Sequence, residues 1–420
     1  MTTYLQTLRL FNRNVHFYML TAALVGFTID GGIYAVLFNL YLLRLGYGPE
    51  FVGLINAAGL FTFALCSLPA GLLGRYWGSR RLMIAGLSLM FIGYSLLPLT
   101  EFSPAGWQAG GLVTTYIMEY LGLAMYFVNA SPFLMGVTRP EERNHVFSLQ
   151  VALLALAAFA GSLIGGLLPG VFATFLGVSL DQPGPYRYPL LLAAILLLPA
   201  ILAAQLTQET DLPPAPERAV KADLNAMNVL PFSLIALLSL VRLFQVAGVG
   251  GTATFFNVYL DAGLQIPTAQ IGLTAAMARL MAVPAALLTP LLAKRWGNHQ
   301  LVIWASLGTA LSILPLALIP RWSAAGLGFM GVVALSSVRY ATFLVYSMEL
   351  VSPRWRGTIS GAGEMAAGFS FAAIALGGGY IIAAWGYAAL FLMAAGLTLI
   401  GGLLFWVYFV KPRRRLEGHF

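Results

Sequence analysis

Six ionisable side chains stand inside otherwise apolar runs of the sequence: Asp30, Glu119, Arg242, Arg279, Arg339 and Glu364. Two kinds of chemistry are open to them. A carboxylate held away from water can take up and release a proton, and a neighbouring arginine opposes that uptake. A guanidinium can hold an anionic group through its fork of N–H donors. A charge at the centre of a bilayer costs at least about 2.5 to 3.5 kcal/mol, so each one there asks for a function. Acids dominate the first half of the chain and arginines the second. Tyr34, Phe38 and Tyr41 follow Asp30 at helical intervals, and Tyr126 follows Glu119 by two turns, so these aromatic groups share faces with the acids. On this reading Asp30, Glu119 or both carry a coupling proton. Arg242, Arg339, Tyr34, Phe38, Tyr126 and Gln245 touch a small organic, anionic or zwitterionic, solute. The competing reading makes Asp30 and an arginine a structural ion pair that holds a gate shut. For Arg279 and Glu364, structural or gating pairing is the expectation.

The elements that position these groups follow from composition. Of 420 residues, 59% are hydrophobic and 9% charged, with a mean hydropathy of +0.83. Water-soluble domains carry about 25% charged residues, so the chain reads as an all-α membrane protein. Its net charge of +8 does not point to nucleic acid, because the basic residues sit in short loops between apolar segments. The single Cys66 has no partner for an intramolecular disulfide. No cleavable signal peptide is read at the start, since the polar lead-in to Asn14 precedes an apolar run too long for one. His16, His145, His299 and His419 lack metal-ligand spacing, and no Gly-rich phosphate loop ends in Lys-Ser or Lys-Thr. No metal, cofactor, direct use of ATP or enzymatic activity is therefore expected.

A spanning helix needs about 20 apolar residues. Twelve such runs are found, near 16–43, 50–73, 82–99, 107–136, 146–175 and 188–206, then 230–260, 270–293, 301–319, 324–349, 357–384 and 387–410. The stretch 208–228, with Pro213, Pro214 and Pro216 among charges, reads as a linker between bundles at 1–207 and 229–420. The basic loops, including Arg75, Arg80, Arg81, Lys294 and Arg295, fall on one side if both termini are cytoplasmic. Arg44, Arg187 and Arg321 are left on the other side, as the positive-inside rule requires of a protein in the cell inner (plasma) membrane.

The two bundles are repeats. Gly71-Leu-Leu-Gly-Arg-Tyr-Trp-Gly-Ser-Arg-Arg-Leu-Met-Ile84 returns about 219 residues later as Pro290-Leu-Leu-Ala-Lys-Arg-Trp-Gly-Asn-His-Gln-Leu-Val-Ile303. Leu37-Phe-Asn-Leu-Tyr-Leu42 returns as Phe255-Phe-Asn-Val-Tyr-Leu260, and Pro140-x-x-Arg143 as Pro353-x-x-Arg356. Three echoes in one order indicate a half used twice. The intramembrane charges do not follow the repeat: Asp30 aligns with Gly248 and Arg339 with Tyr126. The glycines at 161, 165 and 166 and at 377, 378 and 379 read as helix-packing positions.

These features resemble the major facilitator superfamily of secondary transporters, over nearly the whole chain. Gly71, Leu73, Gly78 and Arg80 match the family's loop pattern of roughly Gly-x-Leu-Ala-Asp-Arg-x-Gly-Arg-Lys. Arg75, with Lys294 at its second-half equivalent, replaces the family's Asp, and Tyr76 replaces an Arg. The resemblance implies two pseudo-symmetric six-helix bundles that work by alternating access. It also implies that the first, fourth, seventh and tenth spans line a central cavity faced by Asp30, Glu119, Arg242 and Arg339. Arg75, Arg80, Arg81, Lys294 and Arg295, with Arg279 and Glu364, are then gating or structural charges. The expected protein is a monomer in the lipid bilayer that moves a small solute with protons (or Na+). Rival expectations are a proton-driven exporter of amphiphilic drugs or lipids, and a non-transporting receptor or scaffold.

Overall fold

The computed structural model describes residues 12–29, 31–138, 143–208, 232–350 and 356–410. Asp30, nearly all of the expected linker 208–228 and the side chain of Arg75 lie outside the described residues. Every described regular element is a helix. In a bilayer this follows from the backbone, whose N–H and C=O groups find no water and must pair within the segment.

In chain order the helices are α1 (Arg13–Thr28), α2 (Ile33–Arg44), α3 (Pro49–Trp77), α4 (Ser79–Leu96), α5 (Ala105–Val137), α6 (Arg143–Leu176), α7 (Gly184–Ile195) and α8 (Leu197–Leu206). There follow α9 (Phe232–Gln245), α10 (Ala247–Val258), α11 (Thr268–Trp296), α12 (Asn298–Leu318), α13 (Trp322–Glu349) and α14 (Arg356–Phe405). A 3-10 turn, Leu97–Phe102, extends α4, and a π-helical turn, Tyr259–Gly263, extends α10. Three expected spans are thus each built from two helices in line: α1 with α2, α7 with α8, and α9 with α10.

Eleven stretches are long and apolar enough to cross a membrane, the last being Gly361–Val410. That stretch breaks at Gly386 (φ 81°), which separates the last two of the twelve spans. Large apolar side chains such as Leu68, Leu202, Leu287 and Trp385 are exposed, while Glu119, Thr252, Arg339 and Thr398 are buried. This inversion suits a surface bathed in lipid.

The repeated basic turn has a backbone reason. Gly78 (φ 91°) and Gly297 (φ 76°) are both left-handed. The Gly78 N–H donates to the Gly74 carbonyl at 3.0 Å and ends α3; the Gly297 N–H donates to the Ala293 carbonyl at 2.8 Å and ends α11. The next helix starts at once, which any residue with a β-carbon would oppose by about 1–2 kcal/mol. Both copies therefore carry glycine.

The described residues form two compact units. The first comprises the described part of Met1–Asp211 with Leu260–Leu280; the second comprises that of Leu212–Tyr259 with Met281–Phe420. In the first, α4 and α5 touch backbone to backbone, since a β-carbon on Gly86 would lie 2.6 Å from the Gly122 carbonyl oxygen. In the second, Ile235, Val241, Val302, Phe343, Tyr346, Phe405 and Phe409 form a buried apolar cluster.

Candidate functional site

Glu119 lies on α5, in the face that packs against α4. It is 0% exposed, and neither carboxylate oxygen has a hydrogen-bond partner. Gly93 of α4 makes the space: a β-carbon there would stand 2.6 Å from Glu119 Cγ. Tyr126, two turns on, meets α4 again at Gly86, whose β-carbon would lie 2.9 Å from the Tyr126 amide nitrogen. The shared face of Glu119 and Tyr126 is thus real, and it is turned toward α4 inside the first unit.

The aromatic groups form a shell in the same unit. The Tyr34 hydroxyl donates to the Tyr94 carbonyl at 2.8 Å, and the two rings meet edge-on with centroids 4.1 Å apart. Phe38 stacks on Tyr116 at 4.4 Å. The Tyr116 hydroxyl donates to Asn56 at 3.3 Å. Tyr34 and Tyr116 both lie within electrostatic reach of Glu119. Tyr41 is further along, its hydroxyl 3.1 Å from both the Pro98 carbonyl and Glu101, and Glu101 also pairs with Arg187 at 3.1 Å. Gln150 on α6 bonds the Tyr18 hydroxyl at 2.6 Å, bridging α6 to α1.

Arg279, on the part of α11 that belongs to this unit, sits over the break between α1 and α2. A β-carbon on Gly31 would lie 2.9 Å from Arg279 Nε. Gly31 has φ 84°, and its carbonyl accepts a hydrogen bond from Ser162 of α6. The guanidinium of Arg279 is thereby placed beside Gly31.

The second unit holds the other charges. Arg339 is 1% exposed, and its Nε and Nη1 have no partner. Arg242 lies over the rings of Tyr340, at 5.1 Å, and Phe343, at 5.4 Å, which follow Arg339 on α13 by one and four residues. Its Nη2 is 3.8 Å from Glu364 Oε1, the Glu364 side chain being half exposed. Gln245, one turn beyond Arg242, is fully buried, and both its amide nitrogen and its amide oxygen lack partners. Its backbone is wedged against Gly401, where a β-carbon would lie 2.5 Å from the Gln245 nitrogen. Arg242 and Arg339 are close enough to repel one another.

Of the basic-turn residues, Arg80 Nη2 donates to the Gln205 carbonyl at 2.6 Å and faces a small cavity lined by Tyr18, Thr21, Met83 and Phe133. Arg81, Lys294 and Arg295 are exposed, with Arg295 5.6 Å from the Trp296 ring.

A two-pronged ion pair was not among the sequence candidates. Arg44, at the end of α2, donates two hydrogen bonds to Asp261 at 2.6 and 2.7 Å. It also donates to the Leu180 carbonyl at 2.9 Å and to the Tyr186 hydroxyl at 3.2 Å. Tyr186 in turn meets Thr268, the first residue of α11, at 3.0 Å. A sequence signal existed: the repeated Phe-Asn-x-Tyr-Leu segment is followed by a base in one copy and by an acid in the other. The two side chains are 17% and 8% exposed, so losing one partner strands the other. Arg44→Ala is expected to destabilise the protein by about 2–4 kcal/mol. The check is the melting temperature of detergent-purified protein, with partial recovery in the swapped pair Arg44→Asp, Asp261→Arg.

The profile of the Major Facilitator Superfamily matches residues 19–375. The chain belongs to this superfamily. Solved structures of similar fold include a mutant of the nucleoside transporter NupG, at 12% identity and TM-score 0.74, covering 95% of this chain and 100% of that one. A D-xylose–proton symporter is 15% identical, with TM-score 0.74 and coverages of 94% and 97%. A POT family transporter solved with 5-aminolevulinic acid is 13% identical, with TM-score 0.70 and coverages of 95% and 96%. No curated protein matches the sequence. As a Major Facilitator Superfamily member the chain is a multi-pass membrane transporter, and the unpaired Glu119, Arg339 and Gln245 are interior to its helical units.

Proposed function

We propose that this transporter is a proton-coupled carrier of a small organic solute, acting as a monomer in the cell inner (plasma) membrane with both termini cytoplasmic. The observation that carries the reading is Glu119, fully buried with both oxygens unpartnered. An ionised carboxylate in that place would have neither water nor a hydrogen-bond donor among the described residues to stabilise it. Release then requires a change of surroundings, which ties proton movement to conformational change. The halves 1–207 and 229–420, joined by the linker 208–228, supply that change by alternating access. Asp30 is the second candidate carrier, with Arg279 beside its neighbour Gly31. Arg242, Arg339 and Gln245 serve the solute. Proton coupling in the structurally similar D-xylose–proton symporter supports the reading. The basic turns at Arg75, Arg80, Arg81, Lys294 and Arg295 serve topology and gating, Na+ being the alternative coupling ion.

The test uses proteoliposomes with a pH dye inside. Adding an outside panel of sugars, nucleosides and small carboxylates is expected to drive acidification of the lumen, read by the dye, with at least one member. Solute uptake that proceeds with no proton movement, and that Na+ accelerates instead, overturns it.

A further inference from the structure

Within that reading, the buried charges of the second unit define what the solute carries. Two guanidiniums, Arg242 and Arg339, are buried there and a single acid, Glu364, stands near them, at 3.8 Å and half exposed. One positive charge is therefore left without a counter-charge among the described residues of this cluster. Buried polar groups in folded proteins nearly always have partners, and an unpaired buried guanidinium is among the costliest exceptions. Here Arg339 Nε and Nη1 and both amide atoms of Gln245 have none. Nothing else in the described molecule gathers so many empty donors.

The Arg242 guanidinium packs on the rings of Tyr340 and Phe343. Those contacts leave its N–H edges for a ligand, and the planar fork suits a carboxylate. One unbalanced positive charge calls for one negative charge rather than the two of a phosphate ester. Gln245, a turn from Arg242, offers an empty donor and an empty acceptor side by side, which a hydroxyl or an amide satisfies at once.

We propose that Arg339, Arg242 and Gln245 form a binding site for a small monocarboxylate that bears a neighbouring hydroxyl or amide group, and that this is the transported solute. The anion supplies the missing counter-charge, and its polar neighbour fills the Gln245 amide.

Equilibrium binding to detergent-purified full-length protein tests this without requiring transport or proton coupling. Lactate, gluconate and N-acetylglycine are the probes; propionate, inorganic phosphate, glucose and uridine are the comparisons, each followed by calorimetry and by thermal shift. At least one of the three probes is expected to bind about tenfold or more tighter than every comparison. Arg339→Gln is expected to weaken it about a hundredfold, the size of effect seen when one member of a buried charge pair is removed. Gln245→Leu is expected to erase the preference over propionate and to leave propionate binding unchanged. Because Arg339 Nε and Nη1 have no partner among the described residues, Arg339→Gln is also expected to leave the ligand-free melting temperature unchanged or raised. A structural arginine would lower it. Preferred binding of glucose, uridine or phosphate, or undiminished carboxylate binding in Arg339→Gln, overturns the proposal. Carboxylate binding without a pH-dye signal would overturn proton coupling alone, and a pH-dye signal driven only by neutral solutes would overturn the carboxylate site alone.

Discussion

Glu119→Gln is expected to abolish uphill accumulation of solute driven by an imposed proton gradient, so that the final inside-to-outside ratio falls to about one, the passive limit for a carrier without a coupled ion. Exchange of labelled for unlabelled solute across proteoliposomes with no gradient continues. The separation follows from the site. The amide has the shape of the acid but no proton to release, and the Glu119 carboxyl makes no hydrogen bond that the amide would break. Gly93 leaves the side chain its space. The new NH2 is buried without an acceptor, a cost of about 1–3 kcal/mol, so a modest fall in melting temperature is part of the expectation. The discriminating readout is the split between accumulation and exchange, since a folding defect lowers both. If Glu119→Gln accumulates solute as the parent does, the remaining carrier is Asp30, and the double variant Asp30→Asn, Glu119→Gln decides. Intact proton coupling in that double variant would remove both acids from the mechanism.

What the sequence could and could not disclose divides along a physical line. Spans are written in local composition: an apolar run of bilayer length has no stable alternative to a helix, and Gly78 and Gly297 announce the same left-handed turn in both halves. That Glu119 stands in an apolar run was also local. Its direction was not. The helical periodicity joins Glu119 to Tyr126 correctly, but only the packing of α4, with Gly86 and Gly93 spaced by two turns, shows which neighbour that face meets. Arg44 and Asp261 are 217 residues apart in sequence, so no spacing rule connects them. Arg279 likewise reaches Gly31 only through the folded chain. The glycines at 161 and 166 were readable as packing positions, yet their partners, the Phe27 carbonyl and Gly272, lie on other helices.

That last contact carries the other large expected effect. A β-carbon on Gly166 of α6 would fall 2.7 Å from the Gly272 α-carbon and 3.0 Å from the Thr268 carbonyl oxygen. A β-carbon on Gly272 would fall 2.8 Å from the Ser162 carbonyl oxygen. Helices α6 and α11 therefore touch through their backbones, and lipid supplies no hydrophobic drive to re-close them once they are forced apart. Around the same crossing are the Tyr186–Thr268 bond, the Arg44–Asp261 pair and the bond from Ser162 to the Gly31 carbonyl. Gly272→Leu must displace α11 from α6 and strain all three. Overpacking of this kind costs about 3 kcal/mol, with the melting temperature falling accordingly. Initial uptake is expected to drop about tenfold or more, because the Thr268 end of α11 no longer seats in the first unit. Gly272→Ala should fall between Gly272→Leu and the parent. Gly170→Leu is the matched control: it lies one turn along α6, where an added β-carbon meets nothing within 4 Å, and both stability and uptake should stay near the parent values. Equal behaviour of Gly272→Leu and Gly170→Leu would mean that the α6–α11 crossing is not a constraint on the working protein, and that the small residues there serve neither packing nor transport.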